Sequence, residues 1–154
     1  GSLPEALGYL QSSLADLRFM ENHLAGSIPD AIGDIAHMSI CRVTMNFLTG
    51  ALPEAMFAIP MLEQLSVGEN RFTGSLPEAI GQSQLLWAFT AEICRLSSSI
   101  PDAIGSLRHM SMLFIHNNSF SATLPEALWR ASNLTRVQVQ SNKLSGALPN
   151  DIKM

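Results

Sequence analysis

Residues 70–81 read NRFTGSLPEAIG, and near copies stand at 22–33 (NHLAGSIPDAIG), 46–57 (NFLTGALPEAMF) and 142–153 (NKLSGALPNDIK). A phrase that returns at constant spacing describes a stacked structural unit, whereas an active site is assembled once from unlike pieces. The prolines set the spacing. Pro4, Pro29, Pro53, Pro77, Pro101, Pro125 and Pro149 lie 25, 24, 24, 24, 24 and 24 residues apart, and only Pro60 falls outside the series. The unit therefore divides the chain into repeats at 2–26, 27–50, 51–74, 75–98, 99–122 and 123–146, with a partial seventh after them. The chain breaks off inside that seventh copy, and neither end shows an atypical capping repeat, so the expectation is a segment of a longer solenoid.

Aligned on the prolines, the other columns fall into register. One holds Asn22, Asn46, Asn70, Cys94, Asn118 and Asn142, and two residues later come Leu24, Leu48, Phe72, Leu96, Phe120 and Leu144. Upstream, apolar pairs alternate with other residues: Leu17/Phe19, Cys41/Val43, Leu65/Val67, Phe89/Ala91, Leu113/Ile115 and Val137/Val139. Alternation of period two marks a strand with one face in the core. Six short parallel strands are therefore predicted, centred near residues 18, 42, 66, 90, 114 and 138, with no long helix. Gly26, Gly50, Gly74 and Gly146 sit where the chain must turn; repeats four and five carry Ser98 and Ala122 there, so those two turns are expected to differ. The proline that follows suits the start of a short helical turn.

These columns match L-x-x-L-x-L-x-x-N/C-x-L, and the chain is identified as a member of the leucine-rich-repeat family. The added (L/F)-(S/T)-G-x-(L/I)-P and the 24-residue period resemble its plant-specific subtype. The resemblance implies an α/β, β-rich, right-handed solenoid with a parallel sheet on its concave face. It also implies 3-10 turns on the convex side and a second short strand around GSLP. In the family the Asn amide bonds backbone groups of neighbouring turns, which satisfies buried polar groups that would each cost about 1–3 kcal/mol. Cys94 is the poorer partner.

Composition excludes several function classes. Hydrophobic residues make up 47% of the 154, charged residues 14%, and the net charge is −4. That is too apolar for disorder, and no basic run points to nucleic acid. No apolar stretch approaches the roughly 20 residues of a membrane span. No metal or other cofactor is expected. His37 and His109 share a column three coils apart, roughly 15 Å at strand spacing, and His23 and His116 fall in other columns. Cys41 and Cys94 stand two coils apart, roughly 10 Å, beyond disulfide reach, so both read as buried free thiols. An acid follows nearly every repeat proline (Glu5, Asp30, Glu54, Glu78, Asp102, Glu126). A cation ladder is one reading; an acid offsetting the positive end of a helical turn is the favoured one. No nucleophile elbow, phosphate loop or catalytic triad is present, and no enzymatic activity is expected.

What remains is the concave face. A sheet face that meets only water is mostly polar, yet Trp87, Met112 and Phe114 cluster across repeats four and five. His116, Met45 and Ile93 occupy neighbouring columns, and Arg18 and Arg42 stack in the central one, where they could orient an acidic group. These eight are the candidate ligand-binding residues. Asn133 and Asn117 head glycosylation sequons, Asn133 in the more exposed position. The expected function is non-enzymatic recognition of a protein or peptide ligand on the concave face. The rival is a structural component of an extracellular matrix, filament or larger assembly with other chains. The resemblance places the protein outside the cell or at its surface. Receptor-kinase ectodomains, secreted inhibitors of cell-wall-degrading enzymes, and algal or protist surface proteins all stay open.

Overall fold

A computed structural model describes residues 1–147; Pro149 and the rest of the partial seventh repeat lie outside the described residues. Each coil begins with a three-residue strand: β1 (Asp16–Arg18), β3 (Ile40–Arg42), β5 (Gln64–Ser66), β7 (Ala88–Thr90), β9 (Met112–Phe114) and β11 (Arg136–Gln138). They form one parallel sheet in that order, with Leu17, Cys41, Leu65, Phe89, Leu113 and Val137 aligned across it. The register advances 24 residues per strand, which is the proline period. The strands centre one residue earlier than the sequence reading placed them.

A second strand follows each first one: β2 (Ala25–Gly26), β4 (Phe47–Gly50), β6 (Arg71–Gly74), β8 (Arg95–Ser98), β10 (Ser119–Ala122) and β12 (Lys143–Leu144). These make a second parallel sheet along the side of the stack. Each ends at or before the glycine position, so the second strand precedes the GSLP segment on which it was expected. Short 3-10 turns close the coils at Glu5–Leu10, Asp30–Asp34, Glu78–Gln82, Asp102–Ser106 and Glu126–Arg130; coil three uses one α-turn instead, α1 (Glu54–Phe57). Every turn starts just after the repeat proline and carries its acid in the first position. There the carboxylate offsets unpaired N–H groups. Among the described residues no His, Cys, Asp or Glu group could hold a metal ion, and no helix is long and apolar enough to cross a membrane.

The core is one continuous column of side chains between the strands and the turns, from Leu3 to Leu128. Its central layers are fully closed: Leu65, Phe72, Phe89, Leu96, Leu113 and Phe120 expose nothing. The first and last coils are looser. Phe19 is exposed and Val137 and Val139 are half-buried, although they belong to the same core columns. A stacked coil buries its strand only as far as neighbours exist on both sides.

The Asn column is the polar counterpart of that core. Asn70 Nδ2 donates to the Val43, Val67 and Gly68 carbonyls at 2.9, 3.0 and 3.1 Å, and its Oδ1 accepts from Leu48 N–H at 3.0 Å. Asn46, Asn118 and Asn142 repeat the pattern one coil at a time. At Cys94 only a 3.7 Å donation from the thiol to Val67 O survives. Both thiols are free and buried. Burial pushes Cys41 up to about 12 and Cys94 up to about 11, the latter against the opposing pull of the Asn70 and Phe72 N–H groups.

The turns of coils four and five do not differ as expected. Ser98 (φ 70°) and Ala122 (φ 65°) hold the same left-handed backbone as Gly26, Gly50, Gly74 and Gly146. Ladder hydrogen bonds to the adjacent coils impose the conformation, and a side chain there costs about 1–2 kcal/mol relative to an unstrained backbone.

Candidate recognition face

The outward residues of the first sheet form the candidate site. In register they read Gln64, Ala88, Met112 along one line and Ser66, Thr90, Phe114 along the next. Coil four contributes the smaller Ala88 and Thr90 to these lines, and coil five the larger Met112 and Phe114. Trp87 stands at the head of β7, where its carbonyl accepts from Ser111 N–H and Met112 N–H at 2.9 and 3.0 Å. Ala88, although on the sheet face, is only 4% exposed. Trp87, Met112, Phe114 and His116 are all half-buried. These side chains are thus neither core residues nor fully exposed ones.

Beside this patch the next column reads Thr44, Gly68, Glu92, His116. An added Cβ on Gly68 would lie 2.5 Å from Glu92 Cδ, so the Glu92 side chain occupies the space that glycine leaves open. Its Oε2 is shielded from solvent and has no hydrogen-bond partner, and neither has the shielded Nδ1 of His116 on the neighbouring coil. Buried polar atoms ordinarily find partners. Both atoms are shielded, so a docked ligand would reach them only after the Glu92 and His116 side chains turn outward. Glu92 was missed in the sequence because its role depends on the absence of a side chain one coil away.

The arginines are differently placed. Arg18 is engaged by Asp16 on its own strand, Nη2 to Oδ2 at 2.7 Å and Nε to Oδ1 at 2.9 Å. Arg42 Nη2 donates to Gln64 Oε1 of coil three at 2.6 Å. Met45 and Ile93 lie beyond the strands. Each occupies a left-handed position (φ 57° and 52°) where the chain leaves the first sheet, and each is exposed on the rim. Asn117 and Asn133 are exposed, and Asn133 Nδ2 donates to Arg108 O at 2.7 Å.

The family model described as Leucine Rich Repeat matches residues 61–83, which run from the turn of coil three to that of coil four. With two parallel sheets and the Asn column in register, the match fits what the coordinates show. The chain is built of leucine-rich repeats. Solved structures of the same repeat align along nearly its whole length. The Arabidopsis receptor kinase HAESA, in complex with the peptide hormone IDA and the co-receptor SERK1, is 30% identical over 99% of this chain and 25% of that one, with a TM-score of 0.95. The plant peptide hormone receptor RGFR1, in complex with RGF2, is 28% identical over 97% of this chain and 24% of that one, with a TM-score of 0.94. The ectodomain of the Arabidopsis thaliana receptor kinase SOBIR1 is 26% identical over 84% of this chain and 72% of that one, with a TM-score of 0.78. This leucine-rich-repeat chain thus spans about a quarter of the first two receptor chains. No curated protein matches it in sequence.

Proposed function

We propose that this leucine-rich-repeat segment binds a protein or peptide ligand on the outward face of its first sheet, the face expected to be concave, and that it does so outside the cell. One observation carries the reading: Trp87, Met112 and Phe114 cluster half-buried on adjacent strands, with the unpartnered Glu92 Oε2 and His116 Nδ1 beside them. An apolar patch with a few convergent polar groups is the usual make-up of a recognition site. Similarity to two receptors solved with peptide hormones supports the choice of ligand. Arg42 has donors left over after bonding Gln64 and would take an acidic group of the ligand. Arg18, neutralised by Asp16, contributes less. Met45 and Ile93 would border the ligand at the rim. The role read from this arrangement is recognition without catalysis. Glycans at Asn133 or Asn117 would accompany an extracellular setting.

The test is to select peptides from a displayed library on the folded chain and measure their affinity for variants. Peptides selected on the wild type should bind Trp87→Ala or Phe114→Ala at least about tenfold more weakly, the loss expected of a buried anchor. Arg108→Glu, on the opposite side, should leave their affinity unchanged. Selected peptides that bind the Trp87→Ala/Phe114→Ala double variant as well as wild type would overturn the reading. Failure to select any peptide, with reversible self-association in its place, would favour the structural role in an assembly.

A further inference from the structure

The column that follows the Asn residues reads His23, Phe47, Arg71, Arg95, Ser119, Lys143. It opens the strands of the second sheet, away from the face discussed above. Its side chains touch from coil to coil: the His23 and Phe47 ring centroids are 5.7 Å apart, and the Arg71 guanidinium carbon lies 4.9 Å from the Phe47 centroid. Arg95 comes next on the neighbouring strand, roughly 5 Å further along the stack. Arg71 and Arg95 are exposed, and the one ion pair among the described residues is Arg18 with Asp16. The chain carries a net charge of −4, so two adjacent guanidinium groups without a carboxylate partner run against its overall balance. The acids nearest in sequence, Glu69 and Glu92, make no ion pair with either arginine.

A second observation comes from the backbone beside this column. The residue before each Asn is left-handed in every coil, and in four coils it is polar: Glu21, Glu69, Asn117 and Ser141. In coils two and four it is Met45 and Ile93, 46% and 49% exposed. A β-branched side chain at positive φ is a strained outlier, worth about 1–2 kcal/mol. Ile93, half of whose surface stays exposed, recovers only part of that through burial. Strain held at an exposed apolar residue is expected where the side chain serves a contact. Phe47, 41% exposed, lies on the same flank.

We propose that Met45, Phe47, Ile93, Arg71 and Arg95 form a second docking surface, for an acidic segment of a protein partner that presents carboxylates beside an apolar side chain. A free anion would use the arginines and leave the apolar ridge uncovered. A purely apolar partner would bury two guanidinium groups without a counter-charge, a costly outcome. A segment with aspartate or glutamate next to leucine satisfies both halves. Its carboxylates meet Arg71 and Arg95 in the fork geometry that arginine favours, and its apolar side chain covers Ile93 and Met45.

Two fluorescent peptides serve as probes, one alternating Asp with Leu and one alternating Lys with Leu, titrated against the whole chain. The Asp–Leu peptide should bind and the Lys–Leu peptide should not. Arg71→Gln with Arg95→Gln, which keeps a polar hydrogen-bonding side chain and removes the charge, should weaken binding at least about tenfold. Arg108→Gln should leave it unchanged. Ile93→Asn provides the readout that separates docking from general surface charge: it should raise the melting temperature by relieving strain and weaken the Asp–Leu peptide at the same time. Equal binding of the two peptides, or an Arg71→Gln/Arg95→Gln variant that binds like wild type, would overturn the proposal. An Ile93→Asn variant that gains stability without losing affinity would overturn the apolar half of the surface. The surface shares Met45 and Ile93 with the rim of the first-sheet site, but Arg71 and Arg95 belong to it alone, so the Arg71→Gln/Arg95→Gln result stands whether or not Trp87 and Phe114 bind a ligand.

Discussion

Coils three (residues 51–74) and four (75–98) share strand register, although an α-turn closes the first and a 3-10 turn the second, and they differ in how each position is satisfied. Coil three has the consensus residue at each: Asn70 with four hydrogen bonds and Gly74 at the left-handed turn. Coil four has Cys94 with one long sulfur contact, Ile93 at φ 52° and Ser98 at φ 70°. Yet Leu65 and Phe89 pair in register, and both are fully buried. The fold of coil four is therefore set by the ladders on either side of it, and its own residues adapt at a local cost. Such quasi-one-dimensional stacking lets one poor unit persist between good ones.

The widest separation between the two coils should appear at the Asn column. Asn70→Ala leaves the Leu48 N–H without a partner and takes one donor from each of the Val43, Val67 and Gly68 carbonyls, which keep Asn46 Nδ2, the Cys94 thiol and Met45 N–H, and should cost about 2–3 kcal/mol. Cys94→Ala removes a small apolar group and a weak contact, for about 1 kcal/mol. Urea denaturation of the two variants measures both. Equal losses would mean that the thiol supports its coil as well as the amide does.

Ser83 narrows the comparison. In sequence it reads as an apolar position lost from coil four. In the structure it is buried, and its hydroxyl donates to Phe57 O at 2.8 Å, satisfying a carbonyl at the end of α1 in coil three. Ser83→Ala should therefore destabilise by about 1–2 kcal/mol through that orphaned carbonyl. A neutral result in thermal denaturation would show that the bond contributes little and restore the simpler view of coil four as deficient throughout.

Ser98 separates the coils by less. Ser98→Gly supplies the residue that coil three already has, and relieving a positive φ should stabilise by about 0.5–1 kcal/mol after the added freedom of the unfolded chain is subtracted. Gly74→Ser in coil three should lose a similar amount. A melting temperature that falls for Ser98→Gly would indicate that the serine side chain makes a contact worth more than the strain.

How much of this was legible follows from where the information lies. Columns at period 24 locate Leu65, Asn70 and their equivalents because stacking makes each coil's environment the same. The shared left-handed turn at Ser98 and Ala122 was not legible, since residue preference favours glycine while the adjoining coils dictate the dihedral. The bond made by Ser83 was not legible either, because its partner is a backbone carbonyl one coil away, which no side-chain column displays. The fold of Glu92 over Gly68 was hidden for the same reason: it depends on an absent neighbour. The His23–Phe47–Arg71–Arg95 series stood in the alignment all along, outside the strand columns in which a binding face was sought.

The smallest difference at neutral pH is the charge state of Cys94, and it grows on going alkaline. Burial raises this thiol from 9.0 to about 11 in the folded chain, so between those values the unfolded chain releases a proton that the folded one keeps. Stability is thus unaffected below about pH 9, falls as pH rises toward 11, and levels off beyond it. Coil three has no counterpart, because Asn70 does not titrate. Cys41, pushed up to about 12, adds a parallel loss that also begins near pH 9, but this loss is common to wild type and to Cys94→Asn. The informative quantity is the difference in urea midpoint between those two proteins, which should be constant from pH 7 to 8.5 and widen in favour of Cys94→Asn between pH 9 and 11. A difference that stays flat over that interval would mean the Cys94 sulfur ionises as readily in the folded coil as in water, and that coil four is open where the structure shows it closed.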